Sequence, residues 1–273
     1  MKHRSLFNKI TGAPYLMWSL MFIIAPLIFV IYFAFTDRSG AFTFENILSL
    51  SSYSETFVMS LGFSLIATTI CLLLGYPLAY CMSRTSERTR SILLVLLMLP
   101  MWISLLIRTY SLMALLDNGG LVSTFLIKLG FNKLTFIGTD GAVILGMIYD
   151  FLPYMVLPIY TSLTKLDKRY VEAAQDLGCN GIQVLGKVIL PLTVPGIISG
   201  ITMVFVPSIS TFYISQKLGG GSFDLIGDTI ERQFQNAVTY HTGAAISLVM
   251  MILILISLAI MNKFSDDEEG MIV

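Results

Sequence analysis

Two ionisable residues sit where an apolar setting makes charge expensive. Arg108 and Asp150 each fall inside a long apolar run, Arg108 near the outer end of one and Asp150 in the upper middle of another. A charge at bilayer depth costs a few kcal/mol and marks a pairing or functional position. Two chemistries are open: a salt bridge that fixes two helices, or Asp150 as counter-charge for a cationic ligand. Arg108 is also close enough to the end of its run to snorkel to the surface. Tyr149, Phe151, Tyr154 and Tyr160 flank Asp150, with Tyr110, Phe212 and Tyr213 on neighbouring runs. Aromatic faces attract ammonium groups; tyrosines near the ends of spans also serve as interface anchors.

A second constellation lies in the polar segment 165–190. Leu166, Tyr170, Ala173, Ala174 and Leu177 recur at helical spacing, and Lys168, Glu172 and Asp176 stand four apart on another face. Gly178 is placed to end this helix, and Asn180-Gly181 is a turn signal. A short second helix, Ile182–Ile189, then leads to Pro191. Such a hairpin presents a compact, partly apolar knob that fits a partner's groove.

The elements that hold these residues follow from composition. The chain has 273 residues, 55% hydrophobic and 12% charged, with a mean hydropathy of +0.80. A soluble domain is usually about 25% charged. That excludes a soluble enzyme, a disordered chain and a nucleic-acid binder; the balanced charge, 17 basic against 17 acidic residues, offers a polyanion no field. Six runs are long enough to cross about 30 Å of hydrocarbon: 14–35, 57–82, 91–116, 141–164, 193–214 and 243–262. They are continuous, so a β-barrel with alternating strands is rejected. The expected fold is an all-α polytopic membrane protein of six transmembrane helices, one domain over 1–273.

Orientation follows the basic residues of the loops. Lys2, Arg4, Lys9, Arg84, Arg88, Arg90, Lys165, Lys168, Arg169, Lys187 and Lys263 fall on one side, and Arg38, Lys128, Lys133, Lys217 and Arg232 on the other. The richer side is cytoplasmic, which places both termini inside and segment 165–190 in the cytoplasm; the acidic run Asp266–Glu269 reads as a solvated tail. The first run is too long for a signal peptide's apolar region and lacks a small-residue cleavage site. His3 and His241 fall on opposite sides, so no metal site is expected, and Cys71, Cys81 and Cys179 are not placed to form a disulfide.

Seven prolines lie inside the runs, as suits kinked helices around a wet path, although membrane helices tolerate proline in any case. Ala67, Cys71, Gly75 and Ala79 form a stripe of small residues, as do Gly196 and Gly200, which fits tight packing within the subunit or a dimer interface.

The run Glu172-Ala173-Ala174-x-x-x-Gly178, followed by Val188-Ile189-Leu190-Pro191, resembles the EAA loop of binding-protein-dependent ABC importer permeases. Val188 stands where that family usually has isoleucine. Further stretches resemble the polyamine (spermidine/putrescine) permeases, the first of their two permease subunits: 74–79, 105–110, 152–160, 165–168, 189–197 and the outer segment from Phe212 through Gly219-Gly220-Gly221 to Gly227. Permeases for ferric iron and sulfate-type oxyanions share the EAA loop.

The resemblance implies a type I permease bundle in a bacterial inner (cytoplasmic) membrane, embedded in lipid. Its implied partners are a second, different permease subunit, two cytoplasmic ATPases that bind ATP and magnesium, and an external substrate-binding protein. The coupling residues it implies are Glu172, Ala173, Ala174, Asp176, Leu177 and Gly178, with Glu172 free to pair with Lys168 or Arg169. The expected substrate path takes in Asp150, Tyr149, Tyr154, Tyr110, Phe212 and Tyr213. The chain has no G-x-x-x-x-G-K-[ST] loop of its own, so it is not expected to be an enzyme or to bind a cofactor. An ion-driven secondary transporter is the rival reading. It needs its own coupling-ion site and often inverted repeats, and has no use for an EAA loop. An intramembrane enzyme lacks a Ser/His dyad or metal motif here.

Overall fold

The computed structural model describes residues 14–129 and 135–269. Lys2, His3, Arg4, Lys9 and Lys133 lie outside the described residues, as do the side chains of the acidic run Asp266–Glu269. The described chain is helical almost throughout; its only β feature is an isolated bridge between Thr36 and Phe42. In chain order the helices are α1 (Pro14–Ala34), α2 (Ser54–Arg84), α3 (Glu87–Met98), α4 (Leu105–Leu116), α5 (Leu121–Lys128) and α6 (Asp140–Lys165). Then come α7 (Lys168–Asp176), α8 (Gly181–Leu192) and α9 (Val194–Ile209), α10 (Tyr213–Leu218), α11 (Ile226–Gln235) and α12 (Tyr240–Glu269).

Four helices are long and apolar enough to cross a membrane unbroken: α1, α2 with its lead-in from Glu45, α6 and the Tyr240–Met261 part of α12. Two bent pairs bring the number to six when each is taken as one span. The expected continuous helix over 91–116 is corrected here. Glu87–Trp102 and Leu105–Phe125 meet at 96°. Pro100 sits in a short 3-10 turn, and Ile103 and Ser104 adopt ψ of 137° and 138°, outside the helical region. Proline supplies no N–H to continue the ladder. The expected helix over 193–214 is also corrected: α9 ends at Ile209, and Ser210–Phe212 separate it from α10. At its N-terminal end α9 meets α8 at 65°. The joint is Thr193, fully buried, whose hydroxyl lies 3.1 Å from that of Tyr76 on α2.

The chain forms two compact units. One takes in the chain up to Ser54 with Thr229–Leu253; the other takes in Glu55–Asp228 and the chain from Ile254 onward. In the first, Ala34, Ala244, Ala245 and Leu248 form a small core beneath Phe33, Ile47 and Phe234. Asp37 organises its loop by accepting from the Ser39 hydroxyl at 2.7 Å and from the amides of Ser39 and Ala41. The Ser39 hydroxyl above all, with the Ala41 amide, holds the Asp37 carboxyl below the usual carboxylate range.

The second unit is centred on α6, whose Val143, Met147, Met155, Val156 and Ile159 are fully buried. The helix runs on through Pro153 and Pro158 without a break. The two small-residue stripes face it. Ala67, Cys71 and Ala79 are fully buried, and a Cβ at Gly75 would lie 3.0 Å from Met155 Cγ. From α9, a Cβ at Gly196 would lie 2.6 Å from Ser162 Cβ, and one at Gly200 only 3.0 Å from the Met155 carbonyl oxygen. Both stripes therefore serve close packing within the subunit, where missing side chains let backbones approach.

Candidate functional site

The ionisable pair comes first. α4 and α6 bring Arg108 Nη1 to 3.0 Å from Asp150 Oδ1, with both side chains buried, at 7% and 1% exposure. The same nitrogen donates to the Asp150 backbone oxygen at 3.3 Å. Arg108 Nε and Asp150 Oδ1 have no hydrogen-bond partner of good geometry, so the contact is coulombic more than directional. Asp150 thus faces a guanidinium.

The aromatic residues divide into separate places. Phe151 packs against Tyr154 with ring centroids 6.4 Å apart. Tyr154 opens onto a groove of about 680 Å³ between α6 and α9, which Pro158, Ser162 and Ser199 also line. Tyr149 and Phe212 are exposed. Tyr110 and Tyr213 meet edge to face, centroids 6.0 Å apart. That contact depends on α10 lying on α6 at Gly146, where a Cβ would come 2.8 Å from Ile214 Cγ2. Sequence reasoning missed a third member, Lys217, whose ammonium lies 5.4 Å from the Tyr110 centroid and 5.7 Å from that of Tyr213. The available signal was the four-residue spacing from Tyr213 to Lys217 on a helix.

The polar segment folds as a hairpin of α7 and α8. Asp167 caps α7 by accepting from the Arg169 amide at 3.0 Å. Gly178 ends it with φ of +85°. The Cys179 amide reaches the Ala174 carbonyl at 3.0 Å and the Gly178 amide that of Gln175 at 2.9 Å. This is the two-bond stop that a left-handed glycine allows. Asn180 and Gln183 then exchange reciprocal bonds of 2.9 Å to start α8. α8 extends past the expected Ile189 to Leu192, with a π turn at Leu185–Ile189.

The expected single apolar face of α7 is corrected. Ala174 is buried and Val171 half-buried, while Tyr170, Ala173 and Leu177 point outward. Leu177 is 86% exposed and Ile182 83%, and these two stand at the tip of the hairpin, while Tyr170 lines a groove at its base with Lys165, Asp167 and Leu192. Glu172 and Asp176 are exposed. Glu172 pairs with neither Lys168 nor Arg169; Arg169 Nε lies 4.0 Å from Asp167 instead. Glu172 lines a polar cavity of about 580 Å³ together with Arg84, Arg90 and Lys168. Among the described residues no group of three or more His, Cys, Asp or Glu side chains is placed to hold a metal ion.

Comparison with known proteins bears on both halves of this arrangement. Over 96% of its length the chain superposes on 95% of a chain from a bacterial alginate ABC transporter crystallised with its alginate-bound periplasmic protein, at a TM-score of 0.78 and 20% identity. It also superposes on a chain of the MetNI methionine ABC transporter at 0.53, covering 78% of this chain and 92% of that one, with 16% identity; these likenesses show the fold. The chain is 39% identical to the spermidine/putrescine transport system permease protein PotB of Haemophilus influenzae, over 90% of each chain. It is 39% identical to that of Escherichia coli strain K12, over 86% of this chain and 89% of that one. A homolog in Mycoplasma genitalium is 31% identical, over 75% and 72%. The model of the binding-protein-dependent transport system inner membrane component matches residues 71–267, a stretch that begins in α2 and takes in the Arg108–Asp150 pair and the α7–α8 hairpin, and this chain belongs to that family.

Proposed function

We propose that this chain is the membrane-spanning permease subunit of an ATP-driven importer that takes up polyamines of the spermidine and putrescine type. The observation that carries the substrate class is the 38–39% identity, over about nine-tenths of the chain, to permeases bearing that name. The chain itself is not an enzyme; ATP and magnesium belong to two cytoplasmic ATPase subunits. A second, different permease completes the path, and an external binding protein delivers the substrate. Both termini and the 165–190 hairpin face the cytoplasm, and 1–273 works as one transmembrane domain.

The exposed Ala173, Leu177 and Ile182 supply the docking tip for the ATPase. Ala174 and Gly178 set the tip's angle, and Glu172 and Asp176 are its polar flank. Asp150 stays with Arg108 as a structural ion pair, and the path's contacts to ammonium groups fall to Tyr149, Tyr154, Tyr110, Phe212 and Tyr213. ATP-dependent conformational change reaches the spans through the hairpin.

The test is ATPase activity and uptake by the reconstituted complex with its binding protein, over spermidine, putrescine, ferric iron and sulfate. Stimulation and uptake with polyamines alone are expected. Stimulation by iron or sulfate and not by polyamines overturns the substrate class, and failure to assemble with any ATPase overturns the coupling role.

A further inference from the structure

Tyr110 and Tyr213 form a two-walled aromatic box with a cation already in it. Lys217 Nζ stands within cation–π range of both rings. The two rings meet edge to face at 6.0 Å, with the Lys217 ammonium 5.4 Å from one centroid and 5.7 Å from the other. Among the described residues no carboxylate forms a salt bridge with Lys217, and the two rings meet its charge. Tyr110 remains 51% exposed, so the box is open on one side.

A lysine side chain is a four-carbon stem ending in a primary ammonium. Putrescine has the same four-carbon chain with an ammonium at each end, and spermidine carries an aminobutyl arm. The occupant of the box therefore has the shape and charge of one end of the substrate class proposed above.

We propose that the Tyr110–Tyr213 box is a binding site for the terminal ammonium of an alkyl polyamine, and that Lys217 is a tethered competitor which the incoming amine displaces. This rests on the polyamine reading. A tethered occupant leaves the site free for only a fraction of the time and weakens apparent affinity by that fraction. An occupancy near nine-tenths weakens it about tenfold.

The experiment measures equilibrium binding of radiolabelled spermidine to the full permease–ATPase complex in nanodiscs, without the binding protein. Lys217→Met is expected to bind about tenfold tighter than the unaltered complex. Lys217→Arg keeps a tethered cation and is expected to match the unaltered complex. Adding Tyr110→Leu to Lys217→Met is expected to abolish the gain. Lys217→Gln gives the same comparison should the methionine variant fail to assemble. Equal or weaker binding after loss of the lysine charge overturns the proposal; that is the result for a lysine that only staples α4 to α10 or anchors at the membrane surface. A gain that survives Tyr110→Leu overturns it as well. Uptake by the unaltered complex with its binding protein separates the two readings. No polyamine uptake removes the substrate class itself. Polyamine uptake with unchanged affinity in Lys217→Met overturns the present proposal and leaves the substrate class standing.

Discussion

Arg108 Nη1 lies 3.0 Å from Asp150 Oδ1, and both side chains are buried within one unit of the protein. Removing one member leaves the other as an uncompensated buried charge, which costs about 3–5 kcal/mol. Replacing both with apolar residues of similar volume is often neutral. Asp150→Leu and Arg108→Leu should each lower the thermal midpoint of the purified complex, and the double variant should recover most of the loss. A double variant no more stable than either single one would show that the pair does not hold α4 to α6.

The packing of α9 on α6 predicts a graded response at glycines. Gly200→Leu forces a side chain against the Met155 backbone, and overpacking of this kind costs about 1–3 kcal/mol. Gly200→Ala should cost less, because only one methyl must fit. Gly62 on α2 has nothing within 4 Å of a built Cβ, so Gly62→Ala should be neutral or slightly stabilising, alanine being the better helix former by about 1 kcal/mol. Thermal unfolding of the three variants in one detergent gives the order. Equal losses at Gly62 and Gly200 would contradict the close approach.

The docking role proposed for the hairpin tip can be tested apart from folding. Leu177 and Ile182 are almost fully exposed, so Leu177→Glu and Ile182→Glu should change the stability of the isolated subunit by no more than about 0.5 kcal/mol. A charge at the centre of a docking surface costs about 2 kcal/mol or more, roughly thirtyfold in affinity. Co-purification with the ATPase subunits and substrate-stimulated ATP hydrolysis should both fall. Normal assembly of both variants would move the docking surface elsewhere.

The six apolar runs were legible because uninterrupted hydropathy over twenty residues has few physical solutions. α2 and α6 lie close to the predicted bounds, extending a few residues beyond them. The breaks at Ile103–Ser104 and Ser210–Phe212 were not legible: these residues are as acceptable inside an apolar helix as at its end, and neighbouring helices decide. The prolines were ambiguous for the same reason, since Pro153 and Pro158 leave α6 continuous while Pro100 sits at a right-angle turn. On α7, Ala173 and Ala174 are adjacent in sequence and separated by about 100° on the helix. The pattern placed them on one face; packing turned one in and left the other out. Gly178 was readable as a stop because a left-handed position has few other occupants. Lys217 was within reach by its spacing from Tyr213, but its contact with Tyr110 arises only after α10 breaks from α9 and settles on α6.

The two extended residues Ile103 and Ser104 give the third span a swivel between stiff arms. On one side stands α3; on the other, α4 is tethered to α6 through Arg108. The Ile103 amide donates to the Pro100 carbonyl and the Ser104 carbonyl accepts from the Arg108 amide, both at 3.1 Å, so the peptide between Ile103 and Ser104 is where rotation is cheaper than bending either arm. A displacement that starts at the N-terminal end of α3 would therefore be absorbed at this joint, with α4 and α6 travelling as one strut. The span works less as a rod than as a crank, with its fixed throw set by the guanidinium–carboxylate bolt.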